Sequence, residues 1–356
     1  MSDSSGLEEF AETYLTAELV IVHPIVTLSA MFLVYGMYII VFGSCTSILY
    51  RRKGPSFGLY MTCTICLFVL ASITIGFEVF GEINQTLVGF RALKTRDLEP
   101  LVRYMQHDSG QTAWITATGV IPAVMNAIAD IMLIHRCYVV WGSNRILLYV
   151  LIGGAFVSNG LQFATVIMIS VTVDFASMIS LYRTARAINN GCSILTAVFN
   201  GLLSLATAWR IWWISREARQ QMGMPIHAKY KTIVAVILES GALYPASLIV
   251  ETVVPLTLDP IRAGKVPLDI GILAALFTGL APTLIIVRVA YGKSVDSVQQ
   301  MVSIHFAERE TQQEANVNPA RATVDIRPRS TFAALGANDT ELPGRPGEKR
   351  REWGDV

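Results

Sequence analysis

The sequence predicts an all-α membrane protein, a seven-transmembrane helical bundle with its N-terminus outside and its C-terminus cytoplasmic. Three observations carry this prediction. The 356-residue chain is 53% hydrophobic and only 15% charged, whereas soluble globular proteins carry about 25% charged residues. Seven windows stay apolar for the ~20 residues that a helix needs to cross a hydrocarbon core of ~30 Å, where each backbone polar group must be bonded within the segment. Lys and Arg are also spread unevenly over the connections, which sets orientation.

The windows fall at about residues 24–50, 59–80, 113–138, 146–172, 188–213, 232–254 and 269–290. The first is bounded by His23 and Arg51, and the second by Lys53 and Glu78. The third begins after Asp108 and continues past Asp130 to about Tyr138. The fourth lies between Arg145 and Asp174, the fifth between Arg186 and Arg210, and the seventh between Asp269 and Arg288. The sixth holds Glu239 and Glu251, and is otherwise apolar enough to insert against a cost of ~2.5–3.5 kcal/mol for a mid-helix carboxylate. Residues 1–19 form an acidic extracellular tail, and residues 20–291 form the transmembrane domain. Residues 292–356 form a cytoplasmic tail whose mixed charges and prolines give it a disordered composition. Within it, Val295, Val298, Val302 and Phe306 follow helical spacing. Two readings of 294–306 stand, an interfacial helix and a fraying extension of the last span.

The N-terminal tail has no Lys or Arg, while the first connection holds Arg51, Arg52 and Lys53. The positive-inside rule therefore places the start of the first helix outside. Over the later connections the basic residues predicted inside outnumber those outside by a narrower margin. Trp141, Trp209, Trp212 and Trp213 gather at predicted inner helix ends, as an aromatic belt does. The sequon Asn84-Gln85-Thr86 falls in the second connection, which makes Asn84 a candidate glycosylation site. The acidic N-terminus lacks a basic n-region, so no cleaved signal peptide is expected.

Several classes are disfavoured. A net charge of +1 leaves no basic face for nucleic acid. The five histidines, His23, His107, His135, His227 and His305, are scattered without ligand spacing, so no metal, cofactor or enzyme activity is expected. Cys45, Cys63, Cys66, Cys137 and Cys192 lie in or beside apolar windows and assemble no extracellular disulfide.

Helix faces that meet in lipid are marked by small and polar residues. Such stripes run along Cys192, Thr196, Asn200, Ser204 and Thr207 in the fifth helix, and along Thr232, Ala235, Glu239, Ala242 and Ala246 in the sixth. A third runs along Gly271, Ala274, Ala275, Thr278 and Ala281 in the seventh. All three are expected to face inward. The candidate ligand-binding residues are Glu239, Asn200, Thr196, Asn126, Glu251 and Glu78, with Glu239 as a buried anchor. For Glu239 a packing hydrogen bond is an equal alternative. Asp130, Asn159 and Gln162 are read as structural polar residues. Arg136, Arg210, Arg216, Arg219 and Lys229 cluster at the predicted inner side as a candidate cytoplasmic coupling surface.

Three runs add a resemblance. They are His135-Arg136-Cys137-Tyr138-Val139-Val140-Trp141-Gly142-Ser143-Asn144-Arg145, the stretch from Lys229-Tyr230-Lys231-Thr232 to Glu239-Ser240-Gly241-Ala242-Leu243-Tyr244, and the stretch from Gly279-Leu280-Ala281-Pro282-Thr283 to Arg288-Val289-Ala290-Tyr291-Gly292. Together they resemble a group of seven-transmembrane proteins of mushroom-forming fungi, the basidiomycetes. The architecture is similar to that of G protein-coupled receptors. The resemblance implies the fold and a receptor-like organisation, and lends no activity. The rhodopsin-like pattern fits less well: His135 replaces the acid before Arg136, Cys137 separates Arg136 from Tyr138, and the seventh window has no lysine to bind retinal. The expected partners are the lipid bilayer, a heterotrimeric G protein and a ligand that the sequence does not name. The expected location is the plasma membrane. A small-molecule, ion or lipid transporter or exporter is the alternative.

Overall fold

The computed structural model describes residues 18–51, 56–95, 109–173, 179–222, 224–258, 266 and 268–290. All of them belong to one compact unit, Met1–Val298. The first residues of the N-terminal tail, the cytoplasmic tail and its candidate helix at 294–306 lie outside the described residues.

Seven long helices make up the described chain, and no strand occurs among these residues. A π-helical turn, Glu18–Val22, leads into α1, His23–Arg51. Then come α2, Phe57–Thr95; α3, Ser109–Val140; α4, Arg145–Val173; and α5, Ile179–Met222. The series closes with α6, Met224–Leu258, and α7, Ile270–Ala290. Each contains a stretch long and apolar enough to cross a membrane, and the chain is a multi-pass integral membrane protein. Helices are what this composition dictates, since in hydrocarbon only they satisfy the backbone within each segment.

Several helices outrun the bilayer. At 1.5 Å per residue, the 44 residues of α5 extend ~66 Å. The 39 residues of α2 continue past Glu78 to Thr95 and carry Asn84 inside the helix rather than in a connection.

Consecutive helices pack together from α1 to α6, and α3 also packs on α5. The principal core joins α1, α2, α3 and α7 through Met31, Tyr38, Leu67, Met125, Met132 and Leu276, all nearly inaccessible. Phe42 and Phe68 stack in its wall with ring centroids 4.0 Å apart. α4 is the outermost helix: only 6% of its crossing window is buried, against 61% for α7. Its Ile146, Tyr149 and Phe156 point outward, where lipid tails are as favourable a neighbour as protein.

Glycine permits close approaches between helices. A Cβ on Gly279 of α7 would lie 2.6 Å from the Tyr38 hydroxyl of α1, and one on Gly241 of α6 would lie 2.8 Å from Ser204 Oγ of α5. The α3–α4 connection is a tight turn, with Gly142 at φ 68° and Ser143 at φ 61°. The Ser143 N–H donates to the Tyr138 carbonyl, and Asn144 Oδ1 accepts from the Ile146 N–H to cap α4.

Two of the three expected stripes face inward. On α5, Cys192, Thr196, Asn200, Ser204 and Thr207 are all buried, and on α7 so are Ala274, Thr278 and Ala281. The α6 stripe is a correction: Ala235, Glu239, Ala242 and Ala246 are exposed, and the face that packs is Ser240, Gly241, Tyr244, Leu248 and Thr252. Alanine suits a lipid-facing surface as well as an interface, so small size alone misplaced this face by about one residue.

Candidate functional site

Midway along the bundle, buried polar side chains from four helices meet. The Tyr244 hydroxyl of α6 donates to Asn126 Oδ1 of α3 at 2.8 Å. Asn126 Nδ2 donates to Asn159 Oδ1 of α4 at 3.0 Å and, more weakly, to Gln162 Oε1 at 3.4 Å. Asn159 Nδ2 then donates to Asp130 Oδ2 of α3 at 2.7 Å and to the Ala155 carbonyl at 2.8 Å. One turn away, the hydroxyls of Ser158 and Thr196 join α4 to α5 at 3.0 Å. Asn126 and Asp130 are one helical turn apart, so a single face of α3 serves both ends of this chain.

The network is not fully satisfied. Asn200 of α5 lies beside Asp130, yet Asp130 Oδ1 and both amide atoms of Asn200 are buried without a partner in bonding geometry. Each of these residues is only 1% exposed. Buried polar atoms left unpaired in this way are uncommon and mark sites of function or strain.

The two ends of the bundle differ in charge. At one end Glu78 and Glu82, one turn apart on α2, are almost fully buried, and both are in electrostatic reach of Asp269 at the start of α7. Asp269 Oδ1 caps the Gly271 N–H at 2.8 Å. Glu251 Oε1 comes close to the same first turn of α7, where the helix dipole favours a carboxylate. Arg186 of α5 acts electrostatically on Glu251. A cleft of about 320 Å³ between α2 and α3 opens nearby beside Asn84, Gln111 and Trp114.

The other end is basic and aromatic. The Tyr60 hydroxyl of α2 and His135 Nδ1 of α3 lie 2.9 Å apart. Arg136 stands 5.5 Å over the Tyr60 ring and donates to the Pro282 carbonyl of α7 at 3.3 Å. Arg210 lies 5.5 Å over the Trp141 ring, and Arg216 lies 5.8 Å over Trp212. The side chains of Arg219 and Lys229 lie outside the described residues.

No protein-family model, characterised protein or solved structure matches the chain. The site therefore rests on its own geometry.

That geometry brings together four residues singled out from the sequence, Asn126, Asp130, Asn159 and Gln162, with Asn200 and Thr196 beside them. Glu78 and Glu251 stand apart, at the acidic end. Glu239 is a correction. Its side chain is 70% exposed and pairs with Arg288 Nη1 at 2.9 Å, near the last turn of α7. It lies on the outward face of α6, so the buried acid of the four-helix network is Asp130. Sequence reading missed Tyr244, because a tyrosine in an apolar window resembles packing; it missed Glu82, because the second window was ended at Glu78, and Asp269, because that residue served only as the boundary of the seventh. The i, i+4 spacing of Glu78 and Glu82 was the available signal. Among the described residues, no group of three or more His, Cys, Asp or Glu is placed to hold a metal.

The exposure of the Glu239–Arg288 pair limits its weight. Glu239→Gln is expected to change stability by less than ~1 kcal/mol, because the pair lies at the ends of the α6 and α7 spans, where both side chains can reach water and an ion pair gains little over solvated charges. A thermal melt of the purified variant checks this, and a loss several times larger would put Glu239 back among the buried groups.

Proposed function

We propose that the protein is a cell-surface receptor of G protein-coupled-receptor-like architecture, allied to the fungal seven-helix group that it resembles. It faces the outside with its acidic end and the cytoplasm with its basic end. The observation that supports this reading best is the buried chain from Tyr244 through Asn126 and Asn159 to Asp130, which ties α6 to α3 and α4 between the two ends. A ligand that moves α6 at the acidic end acts on the Tyr244–Asn126 bond. Because α3 also carries Arg136, bonded to α7 at Pro282, remaking that bond shifts the cytoplasmic ends of α3, α6 and α7 together. Such a chain is a two-state element only if ligand binding favours one arrangement over the other. The basic residues Arg136, Arg210, Arg216, Arg219 and Lys229 suit an acidic partner surface such as that of a heterotrimeric G protein.

A second reading draws support from the unpaired atoms of Asp130 and Asn200. Intramembrane acids beside uncommitted polar groups also occur along transport paths, and an ion or small-molecule transporter would use them. One preparation separates the two readings. Full-length protein in proteoliposomes, screened against ligand libraries, is expected to accelerate nucleotide exchange on a host G protein, with Arg136→Ala lowering that acceleration at least tenfold. Silence toward all host G proteins, together with substrate-dependent current or flux, would replace the receptor with the transporter.

A further inference from the structure

At the acidic end, α2 carries an apolar face beyond the height at which α7 begins. Thr27 of α1, Glu78 and Glu82 of α2 and the start of α7 share one level. The Asp269 N–H donates to Thr27 Oγ1 at 3.1 Å, and both glutamates are in electrostatic reach of Asp269. From Ile270 to Arg288, α7 rises about 27 Å at 1.5 Å per residue, close to the ~30 Å of a hydrocarbon core. This level is therefore one edge of that core. α2 runs on from Glu82 to Thr95, a further ~20 Å, whereas the polar interface adds only ~5–8 Å on each side.

Ile83, Leu87 and Phe90 follow i, i+4, i+7 spacing along this extension and share a face, with Leu93 beside them. The first three are half exposed, and Leu93 is exposed as well. Large apolar side chains clustered in water mark a contact surface, because a partner that covers them recovers free energy. Arg91 and Lys94 are exposed on the same stretch, so the partner that fits is both apolar and acidic. The chain supplies one. The π-helical turn Glu18–Val22 packs on this part of α2, with Val20 buried against Gly89, whose added Cβ would lie 3.4 Å from Val20 Cγ1. Residues 1–17 precede that turn and carry Leu7, Phe10, Tyr14 and Leu15 among Asp3, Glu8, Glu9 and Glu12, with no Lys or Arg. The chain from Tyr14 to Val20 spans up to ~20 Å when extended, enough to pass around a helix ~10–12 Å across.

We propose that residues 7–15 of the N-terminal tail dock on the face of α2 made by Ile83, Leu87 and Phe90. Phe10 and Tyr14 cover these apolar side chains, and Glu8, Glu9 and Glu12 answer the charges of Arg91 and Lys94. Because the tail is tethered beside its site at Val20, a modest contact suffices to hold it, as for any intramolecular partner at high effective concentration. Phe80, one turn before Ile83, also lines the cleft between α2 and α3, so the docked tail borders that cleft. This inference does not depend on the receptor reading, because neither signalling nor transport enters it.

The test uses full-length protein in phosphatidylcholine nanodiscs at one chain per disc, with Leu87→Cys as reporter. Its labelling by a water-soluble maleimide is followed by peptide mass mapping, which separates it from the native cysteines. The reporter is expected to be protected, and to label at least about tenfold faster once Phe10→Ser and Tyr14→Ser are added, since two large apolar side chains then leave the contact. A thermal melt checks that the bundle is intact in both proteins. A chain carrying Phe10→Cys and Leu87→Cys is expected to form its disulfide within one molecule under mild oxidation. Rapid labelling with the tail unaltered would show a bare face. Protection that survives both serine substitutions would assign the face to lipid or to the connection at 96–108. Protection that appears only with two chains per disc, or a disulfide that joins two chains, would assign it to a second copy. Each of these results would overturn docking of the tail.

Discussion

Asn126→Leu is expected to be the most damaging single change in the bundle, and Asp130→Asn, one turn away, to be neutral or stabilising. Asn126 is wholly buried and joins three side chains on two other helices: Asn159, Gln162 and Tyr244. Interhelical hydrogen bonds in membranes average ~0.6 kcal/mol, with a maximum of ~1.7 kcal/mol. Losing three of them, and leaving the Tyr244 hydroxyl and the Asn159 carbonyl without partners, should cost about 2–4 kcal/mol. A branched leucine in the same space adds strain.

Asp130→Asn works in the opposite direction. An amide keeps an oxygen to accept from Asn159 Nδ2, removes a buried charge, and supplies an N–H₂ group facing Asn200, whose oxygen is unpaired. Replacing a buried ion by a neutral group of the same shape is commonly neutral or favourable. Thermal unfolding of the two purified variants in one detergent distinguishes them. If Asp130→Asn fell as far as Asn126→Leu, Asp130 would have to be an ion held by a cation, and the network would need a different charge state.

Gly279→Ala is expected to cost about 1–3 kcal/mol, the usual effect of overpacking a tight interface, and Tyr38→Phe to restore part of the loss. The added methyl would lie 2.6 Å from the Tyr38 hydroxyl and 3.0 Å from Tyr38 Cζ. Tyr38 is fully buried among Met31, Leu67 and Leu276 and has little room to withdraw. Its hydroxyl makes no hydrogen bond among the described residues, so Tyr38→Phe alone should cost little and should free the nearest contact. The rescue is partial, because Cζ stays where it is. Independent, additive effects of the two substitutions would mean that α1 and α7 do not meet through this pair.

The seven helices were legible because hydrocarbon imposes a coarse constraint, which a count of apolar residues between charges is enough to detect. The same count hid the extension of α2, since Glu78 ended the window although the helix carries both Glu78 and Glu82 on a protected face. Asn126, Asp130, Asn159 and Gln162 stood out because polar atoms in an apolar span must find one another. Which residue completes such a network is a matter of helix rotation. On α6 the small-residue stripe pointed to Glu239, and the packed face lies about one position along, on Tyr244. Hydropathy sets depth well and rotation poorly, because alanine is at home against both lipid and protein.

Everything proposed for the two ends depends on which side of the membrane each faces. The direct measurement is antibody access to an epitope at each terminus of the full-length chain on intact cells and after permeabilisation. Seven crossings with the basic end inside predict that the N-terminal epitope is reached on intact cells and the C-terminal one only after permeabilisation. A C-terminal epitope exposed on intact cells, or both termini on one side, would contradict the proposed coupling surface and with it the receptor.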